Sequence, residues 1–196
     1  EIYTLSLHDA LPISQAPPHA LGTCFAYLVE NNILNDLVSL CLPDEPLGIL
    51  DEFLRMCTTL VRHIHVPWFL ANEGVAHALL QLLRSCNKKQ QKPPGLVELV
   101  YALCARIHQQ PDTLRVLVQL GAQLPKERPA DRFPLMTCIV RHITMDGPSG
   151  RHMRTSLVWV MHALLTLGTN HRAAWPALYF DQATCSDLAK SLNEAV

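Results

Sequence analysis

The residues with chemical potential in this chain are ten histidines, seven cysteines and one glycine-rich turn. Each asks for a specific partner at a specific spacing. Histidines become zinc ligands when two share a helix face or when Cys/His pairs converge. His63 and His65 are two apart, so on a helix they point in different directions. There is no His-Glu-x-x-His and no Cys-x-x-Cys. His162 lies on an apolar helical stretch, where a hydrogen-bonded core histidine is expected. Cys24, Cys41, Cys57, Cys86, Cys104, Cys138 and Cys185 stand alone, mostly inside apolar runs. That pattern suits reduced, buried thiols, which are normally inert, and speaks against a disulfide framework.

Other catalytic devices are missing in the same way. Gly147-Pro148-Ser149-Gly150 lacks the Gly-x-Ser-x-Gly spacing and the preceding strand of a nucleophile elbow. The eight glycines are scattered over turns and form no phosphate-binding loop. The expectation is that the chain is not an enzyme and carries no catalytic, cofactor or metal residues. Lys88, Lys89 and Lys92 form a short basic run without interleaved aromatics, which reads as a solvated loop. Net charge is -1, with 49% hydrophobic and 17% charged residues, so no global field points to nucleic acid. The longest uncharged stretch in the body, Thr155 to His171, is shorter than the roughly 20 apolar residues of a membrane span.

The elements that would position such residues read as helices almost throughout. Leu21, Phe25, Leu28 and Val29 recur at helical period, and Ile33, Leu34, Leu37, Val38 and Cys41 repeat the face. Ile49 to Ile64 carries a wide apolar stripe. Val75 to Cys86, Leu96 to His108, Thr113 to Leu120 and Phe133 to Ile143 follow, separated by proline-bearing or polar linkers. Met145 to Gly150 reads as a firm turn. Leu157, Val160, Met161, Leu164 and Leu165 mark a strongly buried helix. Two shorter helices are expected near 173–180 and 186–195. Sustained period-two alternation is absent. About ten helices in consecutive antiparallel pairs predict an all-α, armadillo/HEAT-like α-solenoid, with a compact helical bundle as the competitor. No strict sequence period supports a regular tandem repeat.

Residues 1–14 resemble a conceptual translation of a common short-read sequencing adapter, so they are set aside as a non-native, adapter-derived segment carrying no function. Residues 15–196 form the expected helical scaffold domain, an incomplete part of a longer chain.

Three stretches, in order, resemble the FTS- and Hook-interacting protein family, also called the retinoic-acid-induced-sixteen-like family. The first is Phe25-Ala26-Tyr27-Leu28-Val29-Glu30-Asn31-Asn32-Ile33-Leu34-Asn35-Asp36-Leu37, followed by a proline turn and Leu47-Gly48-Ile49. The second is Val75 to Cys86, then Leu103-Cys104-Ala105-Arg106-Ile107-His108-Gln109-Gln110-Pro111. The third is Phe133-Pro134-Leu135, then Asp146-Gly147-Pro148-Ser149-Gly150-Arg151-His152-Met153-Arg154-Thr155-Ser156-Leu157. Asp146 and Val158 depart mildly from the family pattern, and Thr144 stands where a histidine is frequent. The likeness covers most of residues 20–196. It implies a non-catalytic adaptor that joins Hook coiled-coil proteins to an FTS-type, ubiquitin-conjugating-enzyme-like protein. It further implies a cytoplasmic role linking early endosomes to dynein–dynactin, with membrane association only through partners. The alternative is a generic armadillo-like interaction scaffold of another pathway. Gly147, Gly150 and Arg154 are the single-residue candidates: two glycines for a tight turn, and an arginine able to bond carbonyls at a neighbouring helix end. Their alternative role is a partner-contact loop.

Overall fold

In the computed structural model, residues 23–64, 66, 68–89, 93–123 and 133–170 are described. They are helical, in the order α1 (Thr23–Glu30), α2 (Ile33–Cys41), α3 (Ile49–His63), α4 (Trp68–Ala71), α5 (Glu73–Lys88), α6 (Gly95–Gln109), α7 (Asp112–Gln123), α8 (Pro134–His142) and α9 (Gly147–Asn170). No strand occurs among the described residues. The adapter-like residues 1–14, Lys92, and the helices expected near 173–180 and 186–195 lie outside them.

Local chemistry explains where the helices begin. Asp44 Oδ1 accepts from the backbone N–H groups of Gly48 and Leu50, both at 3.0 Å, and so serves the orphan donors that open α3. Asn72 caps α5, its side chain accepting from Val75 N–H at 3.1 Å. The first N–H of α6, from Gly95, donates to Asp51 Oδ1 of α3 at 2.7 Å. One carboxylate therefore both starts a helix and sets it against its neighbour. Pro134 opens α8, where its missing N–H costs nothing.

The packing sharpens the picture of consecutive helix pairs. The two most extensive contacts join helices three apart, α3 with α6 and α6 with α9; α2 with α5 and α5 with α8 follow at the same offset, matched by α5 with α7. The short α4 and α7 pack together in the same way. Two long rows result, α3–α6–α9 and α2–α5–α8, the layout of an α-solenoid in which each unit touches its neighbours. The first row is parallel, since Asp51 lies by Gly95 and Ile64 by Arg106, while Tyr101 lies by His152 and His108 by His162. Between the rows runs one apolar core, with Leu50, Leu54, Leu82, Leu83, Leu96, Leu99, Leu103, Ile107 and Ile139 fully buried. No helix among the described residues is long and apolar enough to cross a membrane.

Two expectations are corrected in α9. The helix starts at Gly147, so the stretch through Gly150 is its first turn and not a loop; Pro148, with its fixed φ, suits that place. The helix is also not buried all round. Val160 is buried and Leu157 and Leu164 are half-buried, but Met161 and Leu165 are exposed at 47% and 67%. His162 shares the outer side and is exposed, not a core histidine. Among the described residues the buried histidine is His142, at the end of α8.

Candidate protein-interaction face

Gly147, Gly150 and Arg154 meet at the corner between α8 and α9. Gly147 has φ +75°, a left-handed conformation that L side chains adopt at a cost, in otherwise open space. Gly150 is buried, and a Cβ there would run into the backbone carbonyl of Met145. Arg154, one turn on, donates from Nη1 to the carbonyl of Ile143 at 2.9 Å. Ile143 is the C-cap of α8, where helix carbonyls lack partners and the helix dipole favours a cation.

Two further arginines act alike, and sequence reasoning did not single them out. Arg106 of α6 is 5% exposed and donates from Nη2 to the carbonyl of Ile64, the C-cap of α3, at 3.0 Å. Burial pushes its pKa down from the usual arginine value. Arg141 of α8 bonds the carbonyl of Asn87 in the last turn of α5. Each guanidinium thus ties a helix to the C-terminal end of another. The signal for Arg106 was present as a lone cation inside the apolar run Leu103 to Ile107.

The described thiols lie in the core. Cys41, Cys57, Cys86, Cys104 and Cys138 are free and buried. Burial pushes Cys57 and Cys104 up to about 12 and Cys86 up to about 11. The nearest approach to a nucleophile dyad is Cys138, whose Sγ lies 3.9 Å from His142 Nδ1. That nitrogen is 2.7 Å from the Cys138 carbonyl, which can only accept, so Nδ1 carries the proton and is not a base toward the thiol. Among the described residues no group of three or more His, Cys, Asp or Glu could hold a metal ion.

What the fold does assemble is a surface along the α3–α6–α9 row. Arg62 of α3 pairs with Glu98 of α6, Nη2 to Oε2 at 2.6 Å. His152 of α9 approaches the other carboxylate oxygen, Nδ1 to Oε1 at 3.3 Å. Its ring stacks on Tyr101 with centroids 4.2 Å apart. Trp159 follows, 5.2 Å from Tyr101 and stacked on His108 at 5.6 Å. His162 meets His108 edge-on at 5.4 Å. These residues recur at i, i+3 and i+10 on α6 and at i, i+7 and i+10 on α9, so each helix commits one edge to the array. Beside it, an open cleft of about 360 Å³ is lined by Arg55, Thr58, Thr59, Arg62, Pro94, Gly95 and Glu98. Partly exposed Tyr, Trp and Arg side chains on rigid helices make a surface suited to contact. Sequence reasoning missed this array because its members lie on separate helices.

A family model described as retinoic acid induced 16-like protein matches residues 24–181. No curated protein and no solved structure matches the chain.

Proposed function

The chain belongs to the retinoic acid induced 16-like protein family, and on that footing we propose that it is a non-catalytic adaptor whose work is binding other proteins. The observation that carries the reading is the Arg62–Glu98–Tyr101–His152–Trp159–His108–His162 array on one face of a helical row. Tyr, Trp and Arg are the side chains that dominate protein interfaces, and a solenoid row presents them on a fixed surface. A partner helix laid along the α6–α9 seam would meet two aromatic rings and four titratable side chains within a few turns.

The finer reading follows the Hook- and FTS-interacting resemblance. The partners are a Hook-type coiled coil and an FTS-type, ubiquitin-conjugating-enzyme-like protein. The assembly links early endosomes to dynein–dynactin for microtubule transport, with membranes reached through partners. An armadillo-type unit fits the three-helix offset of the rows. The second reading, a scaffold of another pathway, uses the same face with different partners.

The test is a pull-down of purified Hook-type coiled coil and FTS-type protein by the full chain. The comparison is with a Tyr101→Ala/Trp159→Ala variant of unchanged helicity. Loss of two interface aromatics should weaken capture by at least about 30-fold, the effect of roughly 2 kcal/mol at a hot spot. Binding that survives the double variant removes the face from the proposal; failure of the wild-type chain to bind either partner favours the second reading.

A further inference from the structure

Of the large apolar side chains exposed among the described residues, three lie on one side of α9: Val158, Met161 and Leu165. Scattered exposed apolar residues are ordinary, whereas a group on one helix face marks a contact surface. Val158 and Leu165 sit four before and three after His162, so they share its side of the helix and continue the surface of the Tyr101–Trp159 array. The opposite side, Met153, Ser156, Val160, Ala163 and Leu167, is buried.

The charge on this surface has one sign. From Gly147 to Asn170, α9 contains no Asp or Glu. It exposes Arg151 and Arg154, seven and four before Val158 and so on the same side. The bond from Arg154 to the Ile143 carbonyl uses one of the five N–H donors of its guanidinium. The helices packed against α9 are α6, α7 and α8, and they add two carboxylates, Glu98 and Asp112. Glu98 is held by Arg62 at 2.6 Å. Asp146 stands in the corner before the first turn. Helices α6 to α9 carry five arginines to two carboxylates, while the whole chain has a net charge of -1, so the excess is local. At the other end of the row, α3 balances its exposed charges within itself, Arg55 bonding Asp51 at 3.1 Å and Glu52 at 3.2 Å.

Resting on the adaptor reading above, we propose that the exposed side of α9 seats an acidic amphipathic helix of a partner protein. Its apolar residues lie on Val158, Met161 and Leu165, and its carboxylates reach Arg151 and Arg154. Arg151 to Leu165 covers about 21 Å, the length of a helix of about fourteen residues. Complementary charge then sets which partner docks and in which register. A protein partner fits this side better than an anionic lipid surface, which takes a cluster of roughly four to eight Lys or Arg side chains where α9 exposes two.

The experiment measures the fluorescence anisotropy of synthetic amphipathic peptides, about fourteen residues long, with the full chain. All share one leucine stripe, and the flanking positions are Glu, Gln or Lys. The Glu peptide should bind about tenfold tighter than the Gln peptide, the Lys peptide should not bind, and the preference should shrink with added salt. Arg151→Glu, at an exposed position, should reverse the order in favour of the Lys peptide, which a merely structural role would not do. Equal affinity for the three peptides, or binding of none, overturns the proposal. So does binding to phosphatidylserine vesicles with none to the peptides, which assigns this side of α9 to a membrane. In the pull-down described above, capture lost with Tyr101→Ala/Trp159→Ala but unchanged with Arg151→Glu keeps the adaptor reading and removes the acidic partner.

Discussion

Replacing Gly150 by alanine inverts an ordinary helix rule. Inside a helix, Gly→Ala is stabilising by roughly 0.5–1 kcal/mol, because glycine pays more backbone entropy. Gly150 is in the first turn of α9 and buried, and its missing Cβ faces the Met145 carbonyl across the corner. That oxygen belongs to the backbone, and Met145 N–H is itself bonded to the His142 carbonyl at 3.1 Å, so the corner has little room to yield. Forcing an extra methyl into a packed site costs about 1–3 kcal/mol. Less the propensity gain, Gly150→Ala should destabilise by about 1–2 kcal/mol, a fall in Tm of about 2–8 °C for a chain of this size. Gly147 provides the contrast. Nothing lies within 4 Å of its Cβ direction, but its φ is +75°. Alanine there should cost about 1 kcal/mol through left-handed strain, and asparagine clearly less. Urea unfolding of the three variants beside the parent gives the numbers. A Gly150→Ala chain as stable as the parent, or more so, refutes the account of the corner.

The other expectations concern the arginines and the thiols. Arg154→Ala should cost about 1 kcal/mol, the worth of one hydrogen bond at an exposed site, and Arg154→Lys should recover part of it. Arg106→Ala should cost about 2–3 kcal/mol, since it removes a buried side chain and leaves the part-buried Ile64 carbonyl without this donor; equal effects in denaturant unfolding would show that burial does not separate the two. The thiols set a pH dependence. Cys57, Cys86 and Cys104 titrate higher when folded, about 12, 11 and 12, than the ordinary 9.0. A raised folded pKa means that their contribution is complete below about pH 9 and is lost as pH climbs toward 11–12. The unfolding midpoint should fall across that window, with thiol-reactive reagent reaching these groups only as the chain unfolds. Fast labelling of Cys104 in the folded protein at pH 8 would contradict its burial.

Helix existence was legible because burial on one side writes a period into the sequence. Ile49, Leu50, Phe53, Leu54, Cys57 and Val61 spell the inner face of α3, and that face is where the structure buries them or nearly so. Neighbour choice was not legible, because it depends on shape across many residues. The row helices start at residues 49, 95 and 147, an uneven spacing that leaves no sequence period behind. α9 was misread for a related reason. From Leu157 to Leu165 apolar residues occupy two sides of the helix, and a sequence pattern reports that a side avoids water without saying what covers it. The inner side rests on α6, and the outer side does not. His162 was assigned to the core because its neighbours are apolar, yet it sits on the outward edge against His108.

Ten histidines in one chain invite a metal or proton-transfer reading, and the fold does gather three of them, His108, His152 and His162, along one seam. His152 stacks on Tyr101, His108 on Trp159, and His108 meets His162 edge-on, and among the described residues no three of these groups converge as a metal site would need. A ligand set needs lone pairs aimed at a common centre. Flat, amphipathic rings half out of water are instead what an interface uses: large contact area, few rotatable bonds to freeze, and polar edges that accept a partner's donors. The arginine ties from α6 to α3, α8 to α5 and α9 to α8 hold the helices that bear these rings. Rigid helices below and partly exposed aromatics above lower the ordering cost of association, as the proposed binding role requires.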